Sequence, residues 1–325
     1  MATCDIIAIG GSLGSIAALR RLMQELPPDF AATLLIVVHV GRDSNNLLAT
    51  VFGRHSPLTV VTATDGAEVL PRHAYVAPAG RHMLVIDGVI RLGQGPRENL
   101  ARPAIDPLFR SVATCYGARA VGVVLTGMLN DGASGLADVK RCGGIAVVQA
   151  PDDAEAPDMP RHALAATPVD HQVPMSDMAA LLATLSTTQA GPPVAKPKAI
   201  ATEVALALGV PSDTDLVMTL ADPVPLTCPA CGGVLSELRQ KTPLRFRCQV
   251  GHSYTAEVLA TEKEGAADEA VRIALRIMEE RVQLTRKLAQ NARASGLGYA
   301  AASYEKHMQE SRDHAEVLRA AIFRL

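Results

Sequence analysis

The chain has 325 residues, 48% of them apolar and 20% charged, with a formal net charge of -2. That composition fits a folded globular protein with a large core and excludes a mostly disordered chain. It gives no general electrostatic reason to bind nucleic acid or another polyanion, and the length favours more than one structural unit.

The opening stretch MATCDIIAIGG lacks a basic start and its apolar run breaks at Gly10, so it reads as a buried strand and not as a signal peptide. No apolar run reaches about eighteen residues, so no membrane insertion is expected and the chain reads as cytoplasmic. From Asp5 to about Thr187, short β-branched runs alternate with helical patterns. This alternation predicts an α/β fold with a doubly wound, mostly parallel, Rossmann-like sheet. Residues 5–10, 33–40, 120–126 and 144–149 are the predicted strands, nearly continuous in apolar residues as strands covered on both faces are. Residues 73–92 read as an antiparallel pair at a sheet edge, turning near Asp87-Gly88.

After the first strand, Gly10-Gly11-Ser12-Leu13-Gly14 leads into a helix carrying Ile16, Leu19, Leu22, Met23 and Leu26. A G-x-S-x-G turn between strand and helix can present a nucleophilic serine. The same context fits an anion-binding turn, although Ser12 stands where a dinucleotide fingerprint requires glycine. His39 closes the second strand, and Asp131 follows a later one in LTGMLNDGASG. Taken singly, His39 fits a packed histidine and Asp131 a helix cap. Together, three groups at strand carboxyl ends can converge over one sheet edge, as an alcohol activated by an imidazole and an orienting carboxylate must.

Residues 1–188 form the first expected domain, with Leu181, Leu182 and Leu185 at helical spacing near its end, and 189–224 read as a linker with weak helix that opens on QAGPPVAKPK. Residues 225–255 carry Cys228-Pro-Ala-Cys231 and, sixteen residues later, Cys248-Gln-Val-Gly-His252. Two pairs on two turns offer four sulfur and nitrogen donors to a structural zinc ion with no coordination position left open. Cys4, Cys115 and Cys142 read as small core residues. Arg239, Lys241, Arg245 and Arg247 make this ribbon basic, but aromatic partners are few, which favours a solvated face or a protein-docking surface over a nucleic-acid site. Residues 256–325 read as a tail of two antiparallel helices joined at 295–298. Its apolar positions, among them Ile273, Leu275, Ile277, Val282, Leu284 and Leu288, suit self-packing or an oligomer contact.

Five ordered blocks carry a family resemblance: IGGSLGS, VHVGR, RPAIDPLFRSVA (102–113), LTGMLNDGASGL and APDMPRHALA (156–165). They resemble the catalytic domain of the CheB family of chemotaxis protein-glutamate methylesterases over most of residues 5–185. The resemblance implies a serine hydrolase that removes γ-methyl esters from glutamates of methyl-accepting chemoreceptors, with glutamine deamidation in related members and no cofactor for catalysis. It implies Ser12 as nucleophile, His39 as acid and base, Asp131 as its orienting group and the Met128 backbone amide as an oxyanion donor. Receptor cytoplasmic domains and other chemosensory proteins are the implied partners. The chain departs from the family at Leu13, where threonine is usual, and at Ser15 and Leu129, where glycine is usual. The resemblance begins at the first strand without a receiver segment, so control by phosphorylation of the same polypeptide is not expected. An esterase acting on another methylated protein and a catalytically impaired scaffold in a chemosensory complex are the alternatives.

Overall fold

The computed structural model describes residues 2–41, 47–240 and 242–322. Arg42 of the histidine motif, Lys241 of the basic ribbon and the tail residues 323–325 lie outside them. The described residues fall into two compact units, Met1–Val258 and Leu259–Leu325.

The first unit opens with β1 (Ile6–Gly11), α1 (Ser15–Glu25), β2 (Thr33–Val38), α2 (Leu48–Gly53), β3 (Thr59–Thr62) and β4 (His73–Val76). A hairpin of β5 (His82–Ile86) and β6 (Val89–Gly93) leads to α3 (Ile105–Tyr116) and β7 (Ala120–Val124). Then come α4 (Ala133–Arg141), β8 (Ile145–Gln149), α5 (Asp158–Ala166), β9 (His171–Val173) and α6 (Met175–Thr187). Seven parallel strands in the order β3-β4-β2-β1-β7-β8-β9 form the main sheet. One face is covered by Leu19, Leu22, Met178 and Leu182 of α1 and α6, the other by Leu108, Phe109, Leu136 and Met159 of α3, α4 and α5. The expected doubly wound α/β architecture is therefore present, and β1 and β2 are buried along their whole length because both faces are covered.

The reading of residues 73–92 needs correction. His73–Val76 joins the main sheet in parallel with β2 and β3, whereas β5 and β6 make a separate antiparallel sheet turning at Asp87-Gly88. Ala74, Tyr75 and Val76 are buried like the central strands β1 and β2, while β6 leaves Arg91 in solvent. The edge strands β3 and β9 were not expected: each is too short and too exposed to show a clear apolar period.

The segment after α6, expected as a linker with weak helix, is helical and packed within the first unit. It forms α7 (Lys198–Leu208), α8 (Thr214–Leu220) and the sheet β10 (Ala221–Thr227), β11 (Val234–Leu238), β12 (Arg245–Cys248) and β13 (Ser253–Thr255), all within the first unit. Ile200 joins the α3 core, and the Gln94 and Gly95 amides donate to the α7 carbonyls of Leu208 and Ala207. Gly93 and Gly95 permit this approach, since a Cβ at either would collide with the Ala207 carbonyl.

A buried ionic cluster reinforces the packing. Arg110 of α3 pairs with Glu98, Asp138 and Glu203, and Arg245 and Arg247 of β12 pair with Glu203 at 2.7 and 2.8 Å. Arg247 also reaches Glu98 at 3.2 Å. Arginine pairing holds Glu203 well below the ordinary carboxylate range against the opposing effect of burial, and Glu98 near about 2. These contacts leave Arg245 and Arg247 about 1% exposed, so the predicted basic docking face of the ribbon loses two of its four cations to the interior.

The second unit contains most of α9 (Ala256–Ala294) and α10 (Gly298–Ile322), joined through Gly296 at φ 73°. Pairs Arg293–Glu305 and Arg319–Glu279 run in opposite sequence directions, which defines an antiparallel hairpin. Val282 is buried, but Ile273, Ile277, Leu284 and Leu288 remain largely in solvent. No described helix is long and apolar enough to cross a membrane.

Candidate active site

Gly11 and Val38 end β1 and β2 in direct register, and the His39 amide donates to the Gly11 carbonyl at 3.2 Å. Ser12 and His39 therefore leave neighbouring strands side by side, where parallel chains run about 4.8 Å apart. On the other flank of β1, the Ser12 amide donates to the Thr126 carbonyl just beyond β7 at 3.0 Å. The site thus opens at the carboxyl ends of the strands where the chain reverses its direction of sheet growth, the usual crevice of an open α/β sheet.

The serine turn is held from beneath. Gly14 adopts φ 80° to start α1, and the buried Ser15 hydroxyl donates to the Ser12 carbonyl at 2.6 Å. Ser12, Leu13, Ile16, Arg20, His39 and Val51 line an open cavity of about 610 Å³. Among the described residues the Ser12 hydroxyl makes no hydrogen bond to His39.

His39 Nε2 lies 2.7 Å from Asp131 Oδ2. A carboxylate only accepts, so the proton sits on Nε2 and the free lone pair of a neutral imidazole is on Nδ1. Asp131 is 2% exposed and also accepts from the Ile105 amide at 2.6 Å, the Asp106 amide at 3.3 Å and Asn99 Nδ2 at 3.1 Å. Burial works to raise its pKa, but the His39 bond and charge, with these donors, bring it below the ordinary carboxylate value. Asp131 stands at the N-terminus of α3 while Asp106 accepts from the Gly132 and Gly135 amides at the start of α4, so each aspartate caps the other's helix. Burial and the neighbouring Asp131 charge push Asp106 up to about 8.

The turn after β7 completes the geometry. A Cβ on Gly127 would lie 2.8 Å from the Ser12 Cβ, so this peptide abuts the serine directly. The next amide, that of Met128, has no hydrogen-bond partner among the described residues. Leu129 follows at φ 63°, a left-handed conformation that costs a side-chain-bearing residue about 1–2 kcal/mol. That strain explains why glycine is the easier residue there.

Ser12, His39 and Asp131 are thus brought together, and the turn that carries Met128 abuts Ser12 at Gly127. Asn99, Asp106, Ser15 and Thr126 support them, and sequence reading assigned none of these a role. Asp106 had a weak signal, an acidic residue in the first turn of a helix; Asn99 had none, because two of its partners, Asp131 and Thr255, are 32 and 156 residues away.

The Cys/His set also closes on itself: the ligand atoms of Cys228, Cys231, Cys248 and His252 lie within 4.8 Å of one another. Cys231 Sγ–Cys248 Sγ is 3.7 Å, Cys228 Sγ–His252 Nδ1 3.8 Å and Cys248 Sγ–His252 Nδ1 3.5 Å. A tetrahedral metal with bonds of roughly 2.0–2.3 Å requires ligand edges of about 3.5–3.8 Å, so the set could hold a metal ion.

The family model for the CheB methylesterase matches residues 7–182. A protein-glutamate methylesterase/protein-glutamine glutaminase of Pectobacterium atrosepticum is 41% identical over 190 residues, 57% of this chain and 54% of the relative. A similarly named protein of Xanthomonas oryzae pv. oryzae is 38% identical over 188 residues, 57% and 52%. The chain spans about half the length of these curated relatives. The crystal structure of the Thermotoga maritima CheB methylesterase catalytic domain superposes with a TM-score of 0.54 at 29% identity, covering 57% of this chain and 99% of that one. With the family model covering more than half of its length, and with the strand-end geometry that the resemblance led one to expect, the chain belongs to the CheB methylesterase family.

Proposed function

We propose that this chain hydrolyses γ-methyl esters of glutamate side chains on methyl-accepting chemoreceptors, releasing glutamate and methanol. The observation that carries this reading is the His39–Asp131 pair, 2.7 Å apart, with His39 and Ser12 lining one open cavity. In the reaction, Ser12 Oγ attacks the ester carbonyl as His39 Nδ1 takes its proton. The Met128 amide faces the developing oxyanion, a donor of a kind worth about 3 kcal/mol. His39 returns the proton to the departing methoxide, and water then repeats the cycle on the glutamyl-serine ester. Asp131 holds the ring and its tautomer throughout. A glutamine side chain would pass through the same acyl intermediate with ammonia as the leaving group, which accommodates the glutaminase named for the relatives.

Catalysis is assigned to residues 1–188 and needs no cofactor. In the ribbon, residues 225–255, zinc is the assigned metal, with Cys228, Cys231, Cys248 and His252 as four protein ligands and a structural role. In the tail, residues 256–325, the exposed Ile273, Ile277, Leu284 and Leu288 offer one helix an apolar stripe suited to a chemosensory partner or a second copy. Leu13 favours the scaffold alternative, because it puts an apolar side chain, 52% exposed, on the cavity rim.

A fluorophosphonate that labels activated serines separates the readings. Labelling of the full chain that disappears in Ser12→Ala and in His39→Ala is the expected outcome. An unlabelled wild type whose Ser12→Ala variant signals normally would leave only the scaffold.

A further inference from the structure

The ribbon and the catalytic aspartate are joined by a short series of buried contacts. His252, last of the four Cys/His ligands, runs straight into β13. The Asn99 amide donates to the Ser253 carbonyl at 2.9 Å, and the Ser253 amide donates to the Arg97 carbonyl at 3.3 Å, so residues 97–99 and 253 pair along their backbones. The Thr255 amide then donates to Asn99 Oδ1 at 3.1 Å. On its other end, Asn99 Nδ2 donates to Asp131 Oδ1 and Asp106 Oδ2, both at 3.1 Å.

This arrangement admits one orientation of the Asn99 amide. Reversed, its NH₂ would face the Thr255 N–H and its oxygen would face two carboxyl groups. Asn99 is 8% exposed and sits at φ 48°, a backbone state that the packing around it must enforce. Two further contacts act in parallel. Thr255 Oγ1 donates to Asn130 Oδ1 at 2.7 Å, one residue before Asp131, and Arg247, beside the ligand Cys248, pairs with Glu98, beside Asn99.

A four-stranded ribbon of this size has little core of its own, so metal binding supplies much of its folding energy. Without metal, the Cys248–His252 turn loses its ligand bonds and is left with the Cys248 amide to His252 carbonyl at 3.0 Å, the Gly251 amide to Cys248 carbonyl at 2.9 Å and the Arg247 guanidinium to Gly251 carbonyl at 2.8 Å, so that β13 rests on its antiparallel pairing with β12 and on its contacts to residues 97–99.

We infer that Asn99 is a positioning residue for Asp131, and that the ribbon holds Asn99 in place when its Cys/His site is filled, so that metal loading sets the rate of chemistry at Ser12 from outside the cavity. This rests on the hydrolase reading and on a metal-loaded ribbon, and makes the ribbon a working part of the catalytic site.

The test uses the full chain loaded with zinc, the same chain after chelation, and Asn99→Ala in both states. Two quantities are read: the maximal rate of Ser12 labelling by the fluorophosphonate, and hydrogen exchange at the Ile105 and Asp106 amides that bond Asp131. Chelation and Asn99→Ala should each lower the maximal rate by about tenfold or more, with little change in the probe concentration needed for half-maximal rate. Each should also speed exchange at 105–106, and chelating the Asn99→Ala chain should add less than about a further twofold, since both changes release the same contact. Thr255→Val, which removes only the hydroxyl bond to Asn130, and chelation of the wild type leave the buried Asn99 intact and give the exchange result independently. Exchange is read whether or not Ser12 reacts, so an inert serine counts against the hydrolase reading alone. A chain that takes up no metal, unchanged exchange and labelling after chelation, or effects that multiply would each overturn the inference.

Discussion

Two constellations in the first unit are built on opposite plans. The Cys/His set comes from two tight turns within 25 residues, and its four donor atoms lie within 4.8 Å of one another. The serine site comes from three strand ends, with His39 and Asp131 separated by 92 residues, and closes only because parallel register puts Gly11 beside Val38 and Thr126 beside Ser12. Local spacing fixes the first; the second depends on the whole sheet being assembled. The ribbon nevertheless reaches the second through Glu98, Asn99 and Thr255, so the two plans share one buried polar interior.

The largest effect should fall on chemistry alone. Ser12→Ala is expected to cut ester hydrolysis by roughly 10⁴-fold or more while leaving thermal stability within about 0.5 kcal/mol, read by turnover and by melting. Matched losses of activity and stability would mean that Ser12 serves the fold and not a reaction.

Next comes the junction. Glu203→Ala leaves Arg110, Arg245 and Arg247 with a lost buried partner and should cost about 3–5 kcal/mol in denaturant unfolding. A loss below about 1 kcal/mol would show that the ribbon does not need this cluster to stay docked.

A smaller, pH-dependent effect sharpens the contrast between the paired aspartates. Asp106 is raised to about 8, so its neutral form favours the fold, and the stability this gives is lost as pH climbs from the ordinary carboxylate range towards 8. Asp131 is lowered, so its contribution is present above the ordinary range and lost only in acid. Asp106→Asn should therefore flatten the fall in melting temperature between about pH 5 and 8 relative to wild type; an unaltered slope would place the titration elsewhere. Smallest of all, Leu129→Gly relieves a left-handed leucine and should stabilise by up to about 1 kcal/mol, measured by melting.

Much of this was legible in the sequence because each element carried its own period or motif. The buried strands showed as unbroken apolar runs, and Ser12, His39 and Asp131 showed as polar residues standing where those runs stop. What stayed hidden was anything whose partner is remote. Arg245 and Arg247 looked like surface cations until Glu203, more than forty residues away, buried them. The segment 189–224 read as a linker with weak helix, and α7 forms where that helix was expected; its packing stayed hidden because the apolar residues that seat it, such as Ile200, show no clear stripe. Strand β4 was absorbed into a hairpin because pairing direction is not written in an apolar run.

The central claim is that Ser12, His39 and Asp131 together cleave a glutamyl methyl ester, and methanol released from a methylated receptor cytoplasmic fragment measures it most directly. The account predicts catalytic release by the full chain, abolished by Ser12→Ala and by His39→Ala. Release that persists at the wild-type rate in the Ser12→Ala chain would contradict it.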